Sequence, residues 1–272
     1  MITINDLTFK YEHGLRKVFS NLSLNLEEDR IYGLLGKNGT GKSTLLYLIS
    51  GMLHPTKGSV AVDGTEARRR RPEVLQELFL VPDEFELPPM TLQNYVRLYG
   101  SFYPNFSQEV LDSCLKDFET GDVRHLNKLS LGQKKKVMIS FALATGTRFL
   151  LMDEPTNGLD IPSKSTFRKI IAGNMHDGQT ILIATHLAHD VESLLDHLLI
   201  AREDGTIFSA PTYELTERYA FVERPSAAND ERILYSEPSP QGVSAIVRND
   251  NGAETQLNLE VLFNAVATGA IG

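Results

Sequence analysis

A glycine-rich segment in the first fifth of the chain has the residue types and spacing of a phosphate-binding loop. It reads Gly36-Lys37-Asn38-Gly39-Thr40-Gly41-Lys42-Ser43-Thr44, which fits the pattern G-x-x-x-x-G-K-[ST]. Glycines let backbone N–H groups turn towards phosphate oxygens at the positive end of a following helix. Lys42 would place its charge at the β- and γ-phosphates, and the Ser43 hydroxyl would bind Mg²⁺. This phosphate loop therefore predicts a nucleotide site with Mg²⁺.

A second apolar run, over residues 149–152, ends in the carboxylates Asp153 and Glu154. An acid at the tip of a buried strand beside a phosphate loop can hold Mg²⁺ through water, which suits Asp153. Glu154 is placed to polarise an attacking water as a general base. Alone, a strand that ends in Asp-Glu is a weak signal, but together with the phosphate loop it indicates nucleotide hydrolysis.

The strands and helices that must position these residues can be read from the hydrophobic pattern. An apolar strand at 31–35 enters the phosphate loop, and a helix over 43–50 leaves it and ends at Gly51. Residues 92–144 are mostly helical in pattern, which indicates a helical insertion between two core strands. The alternation of short apolar runs with helical segments predicts a sheet covered on both faces, with strands at 2–9, 22–26, 31–35, 60–63, 78–81, 149–152, 180–184 and 197–201.

Leu129-Ser130-Leu131-Gly132-Gln133 lies between the two motifs. In this order the motifs resemble those of the nucleotide-binding subunits of ABC transporters, whose usual signature is Leu-Ser-Gly-Gly-Gln. Leu131 replaces the first glycine, whereas Ser130, Gly132 and Gln133 match. The resemblance covers residues 1 to about 215. It extends to Asn157-Gly158-Leu159-Asp160, which is similar to the family's D-loop, to His186, which is similar to its switch histidine, and to Tyr11, which is similar to the aromatic residue that stacks on adenine.

The resemblance implies an α/β P-loop NTPase fold of the ABC type, with an N-terminal antiparallel β region and a helical subdomain at about 87–145. It implies hydrolysis of ATP with Mg²⁺, in which Glu154 and His186 are catalytic. It also implies a head-to-tail homodimer, or a dimer with a similar subunit. There, Ser130, Gly132 and Gln133 of one chain would contact the γ-phosphate on the other chain's phosphate loop, with Asp160 also at the nucleotide.

One residue departs from the family pattern. The family normally carries a glutamine after the strand that enters the helical insertion, where it senses Mg²⁺ and the γ-phosphate. Here Asp83 stands at that position, or Glu84 if the register is shifted by one. A carboxylate can ligate Mg²⁺, although it adds negative charge near the phosphates. Asp83 is therefore predicted to join Ser43 and Asp153 at the metal.

Several of these residues also have purely structural interpretations. Tyr11 and His186 could be packing residues, and Asp160 lies in a turn segment where Asp is common for local reasons. The arginine run 68–71 is typical of a solvated face, with a contact to anionic lipid or to an acidic partner as the alternative. Cys114, in an apolar helical stretch, is expected to be inert.

The composition changes after about residue 220, and we predict two units, a nucleotide-binding domain at 1–220 and a small C-terminal α+β accessory segment at 221–272. In the second unit, Asn249-Asp250-Asn251-Gly252 predicts a hairpin between strands at 243–248 and 253–257. A short helix is expected over 257–266.

Composition narrows the class of protein. With 42% hydrophobic residues and a net charge of −8, the 272-residue chain is typical of a globular protein and does not favour binding of nucleic acid through a basic face. The longest stretch without Asp, Glu, Lys or Arg is 43–56, shorter than the roughly 20 apolar residues of a membrane span. The N-terminus has no pattern of a secretory signal, and the single cysteine forms no internal disulfide. We therefore expect a cytoplasmic protein.

The predicted function is an ATPase subunit, peripheral on the cytoplasmic face of the membrane, that powers a separate permease docked on the helical insertion. Residues 257–263 resemble the terminal segment of exporter-type subunits, which favours export over import. A soluble ABC ATPase acting on ribosomes or nucleic acid is the alternative. A nucleotide-dependent regulator with little turnover is a third possibility, favoured only by Asp83.

Overall fold

The strands form three sheets, against which the helices pack. A computed structural model describes residues 1–12, 14, 16–225, 232–250, 252 and 255–272. The strands of this part of the chain are β1 (Ile2–Phe9), β2 (Phe19–Leu26), β3 (Arg30–Leu35), β4 (Lys57–Val62), β5 (Thr65–Glu66), β6 (Leu78–Val81), β7 (Phe149–Asp153), β8 (Thr180–Thr185), β9 (His197–Ala201), β10 (Ile207–Pro211), β11 (Tyr219–Arg224), β12 (Ile233–Ser239) and β13 (Gly242–Arg248). Its α-helices are α1 (Lys42–Ile49), α2 (Pro72–Leu75), α3 (Leu92–Tyr99), α4 (Gln108–Asp117), α5 (Leu131–Ala144), α6 (Ile161–Asn174), α7 (Thr212–Arg218) and α8 (Leu259–Ala267).

The central sheet has six strands in the order β10-β9-β3-β8-β7-β6. Neighbouring strands from β9 to β6 are parallel, and β10 pairs antiparallel with β9. Strands β7 and β8 are buried throughout, as in a sheet covered on both faces. Because the carboxyl ends of parallel strands lie along one edge, the segments that follow β3, β6, β7 and β8 meet at that edge.

Alternate residues of the central strands face two different cores. In β3, Ile31 and Leu35 belong to the core shared with α5 and α6, whereas Tyr32 and Leu34 face α1 and the N-terminal sheet. This division follows from the period of two along a strand. The expected covering of both faces is confirmed.

The N-terminal sheet is antiparallel, with the order β2-β1-β4-β5. Ile4 of β1 is paired with Leu24 on one side and with Val60 on the other. The expected antiparallel β region is therefore present. Strands β2 and β4 begin three residues earlier than expected, at Phe19 and Lys57. The added residues of β4 include Gly58, which a search for apolar runs does not find.

The helical insertion consists of α3, α4 and α5 and joins β6 to β7. Thr91, Ser107 and Ser130 cap the N-termini of these helices, each through its side-chain oxygen. The rings of Tyr95 and Phe141, 5.0 Å apart, pack α3 against α5. The expected insertion within the core is confirmed.

The C-terminal residues form a three-stranded antiparallel sheet, β11-β13-β12, with α8 packed against it. Two predictions fail here. Strand β13 forms its hairpin with the preceding β12, through the turn at 240–241, and residues 255–257 are not a strand. Residues 251, 253 and 254 of the predicted hairpin lie outside the described residues. An Asn-Gly signal predicts only a local turn type, whereas strand pairing depends on long-range packing.

The C-terminal sheet and α8 share a hydrophobic core with the helical face of the central sheet, through residues such as Ile246 and Leu262. The backbone N–H of Leu259 donates to Glu192 Oε1 at 3.1 Å, and Arg202 donates to the carbonyl of Ile271 at 3.1 Å. The division at about residue 220 stays a prediction, since the two predicted units share one continuous core.

Candidate active site

The phosphate loop connects β3 to α1 at the carboxyl edge of the central sheet. Gly41, the N-cap residue of α1, has a φ of 97° and provides no side-chain cap for the helix. A Cβ atom at Gly41 would lie 2.4 Å from Cγ1 of Val18, so both the backbone conformation and the space require glycine. The helix N-terminus is therefore presented by backbone alone, which suits an anion.

Lys42 is buried inside the loop, with 6% of its surface exposed. Its Nζ donates to the carbonyl of Gly36 at 2.7 Å and lies 3.8 Å from Glu154 Oε1. Burial lowers the pKa of Lys42 below its ordinary value, and the carboxylates of Glu154 and Asp153 oppose that shift. The ammonium group is thus held by carbonyls and carboxylates at the point where the sequence predicts phosphates.

Asp153 ends β7 and is only 2% exposed. Within the described residues, its Oδ1 atom is buried without a hydrogen-bond partner. Burial raises the pKa of Asp153, and the neighbouring Ser43 hydroxyl lowers it. A buried carboxylate oxygen without a donor is what a hard cation with oxygen ligands would satisfy.

Glu154 and His186 are in direct contact. His186 Nδ1 lies 2.7 Å from Glu154 Oε1, and the His186 backbone N–H also donates to this oxygen at 3.0 Å. Thr185, at the end of β8, donates its hydroxyl to Glu154 Oε2 at 2.7 Å. Sequence reasoning did not find Thr185, although its place directly before His186 at a strand end was an available signal.

Asp83 lies close to a buried lysine that sequence reasoning also missed. Its Oδ1 is 3.2 Å from Lys135 Nζ and accepts from Asn157 Nδ2 at 3.4 Å. Lys135 is 1% exposed. The available signal was helical spacing, because Lys135 precedes the buried residues Met138 and Ile139 by three and four positions.

Tyr11 stands beside the phosphate loop with its ring partly open to solvent. Its hydroxyl is 2.8 Å from Thr44 Oγ1, and its ring meets that of Phe9 edge-on with centroids 4.9 Å apart. Tyr11 is 46% exposed. An aromatic face at this position is compatible with either base stacking or packing.

The signature segment, residues 129–133, lies at the start of α5 and is partly exposed. Ser130 and Gln133 bond each other in a capping box, with distances of 3.3 and 3.0 Å. A Cβ atom at Gly132 would lie 2.9 Å from the carbonyl oxygen of Gly158. Over the described ranges, no hydrogen bond joins this segment to the phosphate loop.

Asp160 has a clear local role. It is the N-cap residue of α6, and its Oδ1 accepts the backbone N–H of Ser163 at 2.9 Å. Hydrogen bonds from the Ser163 hydroxyl and from the Ser163 backbone N–H lower the pKa of Asp160. The structure thus accounts for this aspartate by capping, while its predicted nucleotide contact stays a prediction.

A cleft of about 990 Å³ opens beside the phosphate loop. Its lining includes Gly36, Lys37, Asn38 and His186, together with C-terminal residues such as Phe263. The predicted loop and switch histidine therefore face one common space.

Comparison with known proteins identifies the family. Residues 19–157, which include the phosphate loop, the signature segment and the Asp153-Glu154 pair, match the ABC transporter family. The chain belongs to that family.

Relatives of this ABC transporter chain carry matching descriptions. It is 30% identical over 226 residues to the ABC transporter ATP-binding protein NatA of Bacillus subtilis (strain 168), covering 80% of this chain and 92% of NatA. It is 31% identical over 228 residues to the lantibiotic transport ATP-binding protein SrtF of Streptococcus pyogenes, covering 80% of this chain and 93% of SrtF. The dimeric post-hydrolysis structure of the ATP-binding cassette MJ0796, bound to ADP and Pi, matches with a TM-score of 0.67 and 26% identity, covering 78% of this chain and 98% of that one.

This chain is accordingly an ATP-binding and ATP-hydrolysing subunit of an ABC transporter. The predicted fold class is confirmed by the same comparison and by the strand order of the central sheet. In the described part of the chain, no helix combines the length and apolar character that a bilayer span requires.

Proposed function

We propose that this subunit powers a separate membrane permease, with two ATP molecules closing a dimer and hydrolysis releasing it. The carrying observation is the Glu154–His186 contact of 2.7 Å at the carboxyl edge of the sheet, beside the buried Lys42. A carboxylate, an imidazole and a phosphate-binding ammonium group at one edge are the set that hydrolysis of a phosphoanhydride requires.

In this proposal ATP binds along the phosphate loop, residues 36–44. Backbone N–H groups of the loop and the N-terminus of α1 hold the phosphates, and Lys42 exchanges its contact with the Gly36 carbonyl for the β- and γ-phosphates. Tyr11 stacks on the adenine, with its hydroxyl fixed by Thr44.

Mg²⁺ fits the residues at the end of β7. Asp153 offers a buried oxygen that accepts no hydrogen bond from any described residue, and the Ser43 hydroxyl is beside this carboxylate. Asp83 stays in the predicted ligand set, with its Oδ1 bonded to Lys135. When bound, the ion would neutralise charge that develops on the β- and γ-phosphate oxygens.

Glu154 is the proposed general base. Its carboxylate accepts bonds from Thr185 and from both the backbone and the ring of His186, which fix its direction. It would take the proton of the attacking water, while the exposed side of His186 contacts the γ-phosphate. The 39% exposure of the His186 side chain leaves room for that contact.

A second copy of the chain supplies the remaining contacts. Ser130, Gly132 and Gln133 are at the N-terminus of the 14-residue helix α5 and partly face solvent. Placed on the partner's phosphate loop, the helix dipole and the Ser130 hydroxyl would bind the γ-phosphate. The dimeric state in the description of MJ0796 supports this arrangement.

The permease is proposed to dock through a helical segment in an apolar groove at the edge of the helical insertion. The groove has a volume of about 730 Å³ and is lined by residues of α1, α2, α3 and α5. Met52 and Phe102, at 60% and 59% exposure, make its rim apolar. An apolar groove with exposed aromatic residues suits an amphipathic helix. The similarity to NatA, an ABC transporter ATP-binding protein, and to SrtF, a lantibiotic transport protein, favours a permease over ribosomes or nucleic acid as the partner.

The test is affinity purification of the tagged chain from gently solubilised membranes of its source cells. Recovery of a multi-span membrane protein in stoichiometric amount is the expected result. Loss of that protein with Phe102→Asp, but not with the exposed Ile161→Asp on α6, would locate the interface at the groove. A tagged chain found with ribosomes or nucleic acid instead would contradict the proposal.

The proposed direction is export, which rests on the resemblance of residues 257–263 to exporter-type subunits. In proteoliposomes with the ATPase subunits outside, export appears as ATP-dependent uptake into the vesicle. A labelled lantibiotic is the first probe, because SrtF is a lantibiotic transport protein. ATP-driven movement out of loaded vesicles would contradict export.

A further inference from the structure

Lys135 is a buried lysine outside the phosphate loop. It lies in α5 of the helical insertion and is 1% exposed, less than the 6% of Lys42. A buried ammonium ion is strongly unfavourable unless it is paired and hydrogen-bonded. Its partners therefore indicate what it does.

The Lys135 ammonium group joins three segments of the chain. It donates to Asp83 Oδ1, after β6, at 3.2 Å and to the backbone carbonyl of Glu154, after β7, at 3.0 Å. The ring of Phe85 has its centroid 6.0 Å from Nζ. Asp83 and Glu154 lie at the carboxyl edge of the central sheet. The lysine itself belongs to α5, the helix that begins with the signature segment.

The backbone of Glu154 needs such support. Its φ of 44° is in the left-handed region, which a residue with a long side chain adopts only when its surroundings hold it there. The Glu154 N–H donates to the carbonyl of Ala184 at 2.8 Å, and its carbonyl accepts from Lys135. The peptide groups on both sides of the Glu154 Cα are therefore fixed, and with them the direction of the carboxylate.

The charges of Asp83 and Lys135 compensate each other. The family pattern has an uncharged glutamine where this chain has Asp83, and the added negative charge meets a positive charge at 3.2 Å. Asn157 donates to the same oxygen at 3.4 Å, so the carboxylate is held on the side of α5. The departure at Asp83, whose side chain is 42% exposed, is therefore matched by a buried cation on α5.

We propose that Lys135 is a positioning residue for ATP hydrolysis. It fixes the Glu154 peptide through the carbonyl, and Asp83 in turn fixes Lys135. This inference rests on the proposed role of Glu154 as general base. Because Lys135 belongs to α5, a rotation of the helical insertion would move the ammonium group relative to the Glu154 carbonyl. The contact thus connects the signature helix of one chain to the base of the same chain.

The first test is Lys135→Met, which keeps the length of the side chain and removes the donor. We expect kcat of the full chain to fall by about tenfold to a hundredfold, as for a misplaced catalytic group, while KM for ATP changes less than about twofold. The matched control is Lys134→Met, which removes the neighbouring lysine and its 3.0 Å ion pair with Glu86. The control should keep kcat. An unchanged kcat in folded Lys135→Met, or a loss expressed in KM alone, overturns the proposal.

A second variant covers the case in which an unpaired Asp83 impairs folding. Asp83→Asn combined with Lys135→Met removes both charges, so its thermal stability should approach that of the parent. We expect kcat to stay as low as in Lys135→Met, because the Glu154 carbonyl still lacks its donor. Recovery of the parent kcat would show that Lys135 only neutralises Asp83, and would overturn the positioning role.

The final arm separates this inference from the proposed function. In Glu154→Gln, the further change Lys135→Met should lower kcat no more, since Lys135 acts through Glu154. An additional tenfold loss would show an independent action and overturn the inference alone. A parent-like kcat in Glu154→Gln itself would instead remove Glu154 as the base, whatever Lys135 does.

Discussion

The phosphate loop of one chain and the signature segment of its partner are predicted to bind the same γ-phosphate. The two segments are built in opposite ways. Around the loop, Lys42, Asp153 and Glu154 are each less than 9% exposed. Lys42 lies 3.8 Å from Glu154, and both carboxylates act on its pKa. In the signature segment, Ser130 and Gln133 are exposed, and within the described part of the chain their hydrogen bonds stay inside their own helix end. One half-site is set by the core of the protein, and the other is set by a local cap.

This difference explains how one chain can carry both motifs although its own signature segment does not complete the site at its own phosphate loop. Buried charges at the sheet edge hold their geometry because surrounding elements fix them. A capping box needs only four consecutive residues and is complete on an exposed surface. Such a helix end can exchange its internal bonds for a ligand on another molecule at small cost. Variants of the two half-sites should therefore separate ATP binding from ATP hydrolysis.

The largest expected effect on ATP affinity comes from Lys42, in the buried half-site. Lys42→Ala removes the ammonium group that lies 2.7 Å from the Gly36 carbonyl and leaves the carboxylates of Asp153 and Glu154 without it. Loss of one partner from a buried charged set is worth roughly 3–5 kcal/mol, so ATP affinity should fall by at least about a hundredfold. Isothermal titration with ATP and Mg²⁺ measures this. Affinity equal to that of the parent would refute the role of Lys42.

Glu154→Gln should separate the two steps within the buried half-site. The amide keeps the shape of the side chain but cannot accept a proton, so kcat should fall by about 10²–10⁴-fold while ATP affinity is kept. With hydrolysis blocked, ATP should hold two chains together, and size-exclusion chromatography should show a dimer with ATP and a monomer without it. Hydrolysis at the parent rate would place the base elsewhere.

Ser130→Ala tests the exposed half-site. The change removes the cap of α5, which is worth about 1 kcal/mol, and removes a donor to the partner's γ-phosphate. ATP affinity of the monomer should be unchanged, and kcat at dimerising concentrations should fall by about tenfold. Ser107→Ala is the matched control, since it removes the corresponding cap of α4. It should lower stability by a similar amount and leave kcat unchanged. Equal effects of both changes on kcat would show that Ser130 acts only by capping its helix.

The smallest effect concerns stability without ligands. Burial raises the pKa of Asp153 above its ordinary 3.8, so the folded protein binds this proton more tightly than the unfolded chain does. The contribution of Asp153 to stability is therefore lost as pH rises through the raised pKa. Asp153→Asn should raise the melting temperature at neutral pH by about 2–4 °C and weaken this pH dependence, as measured by calorimetry without Mg²⁺. A lower melting temperature would contradict an unfavourable buried charge.

The local motifs were accessible from the sequence because their geometry is local. Glycine spacing between a strand and a helix sets the phosphate loop, and the order of motifs identified the family and the inserted helices. The hairpin was assigned to the wrong neighbour, since β12 carries Pro238 and little apolar alternation, and its pairing with β13 depends on packing against α8. A local turn signal was therefore insufficient to assign the strand pairing.

Contacts over long sequence separations were decided by the tertiary structure. Asp83 and Lys135 are 52 positions apart, and Thr185 and Glu154 are 31 apart, so no local pattern indicates either pair. Sequence alone determined which chemical groups are present and which short segments present them, because φ/ψ preferences and hydrophobic period act over a few residues. The partner of each buried charge was decided only when the parallel strands brought their carboxyl ends to one edge, where low solvent exposure makes pairing obligatory.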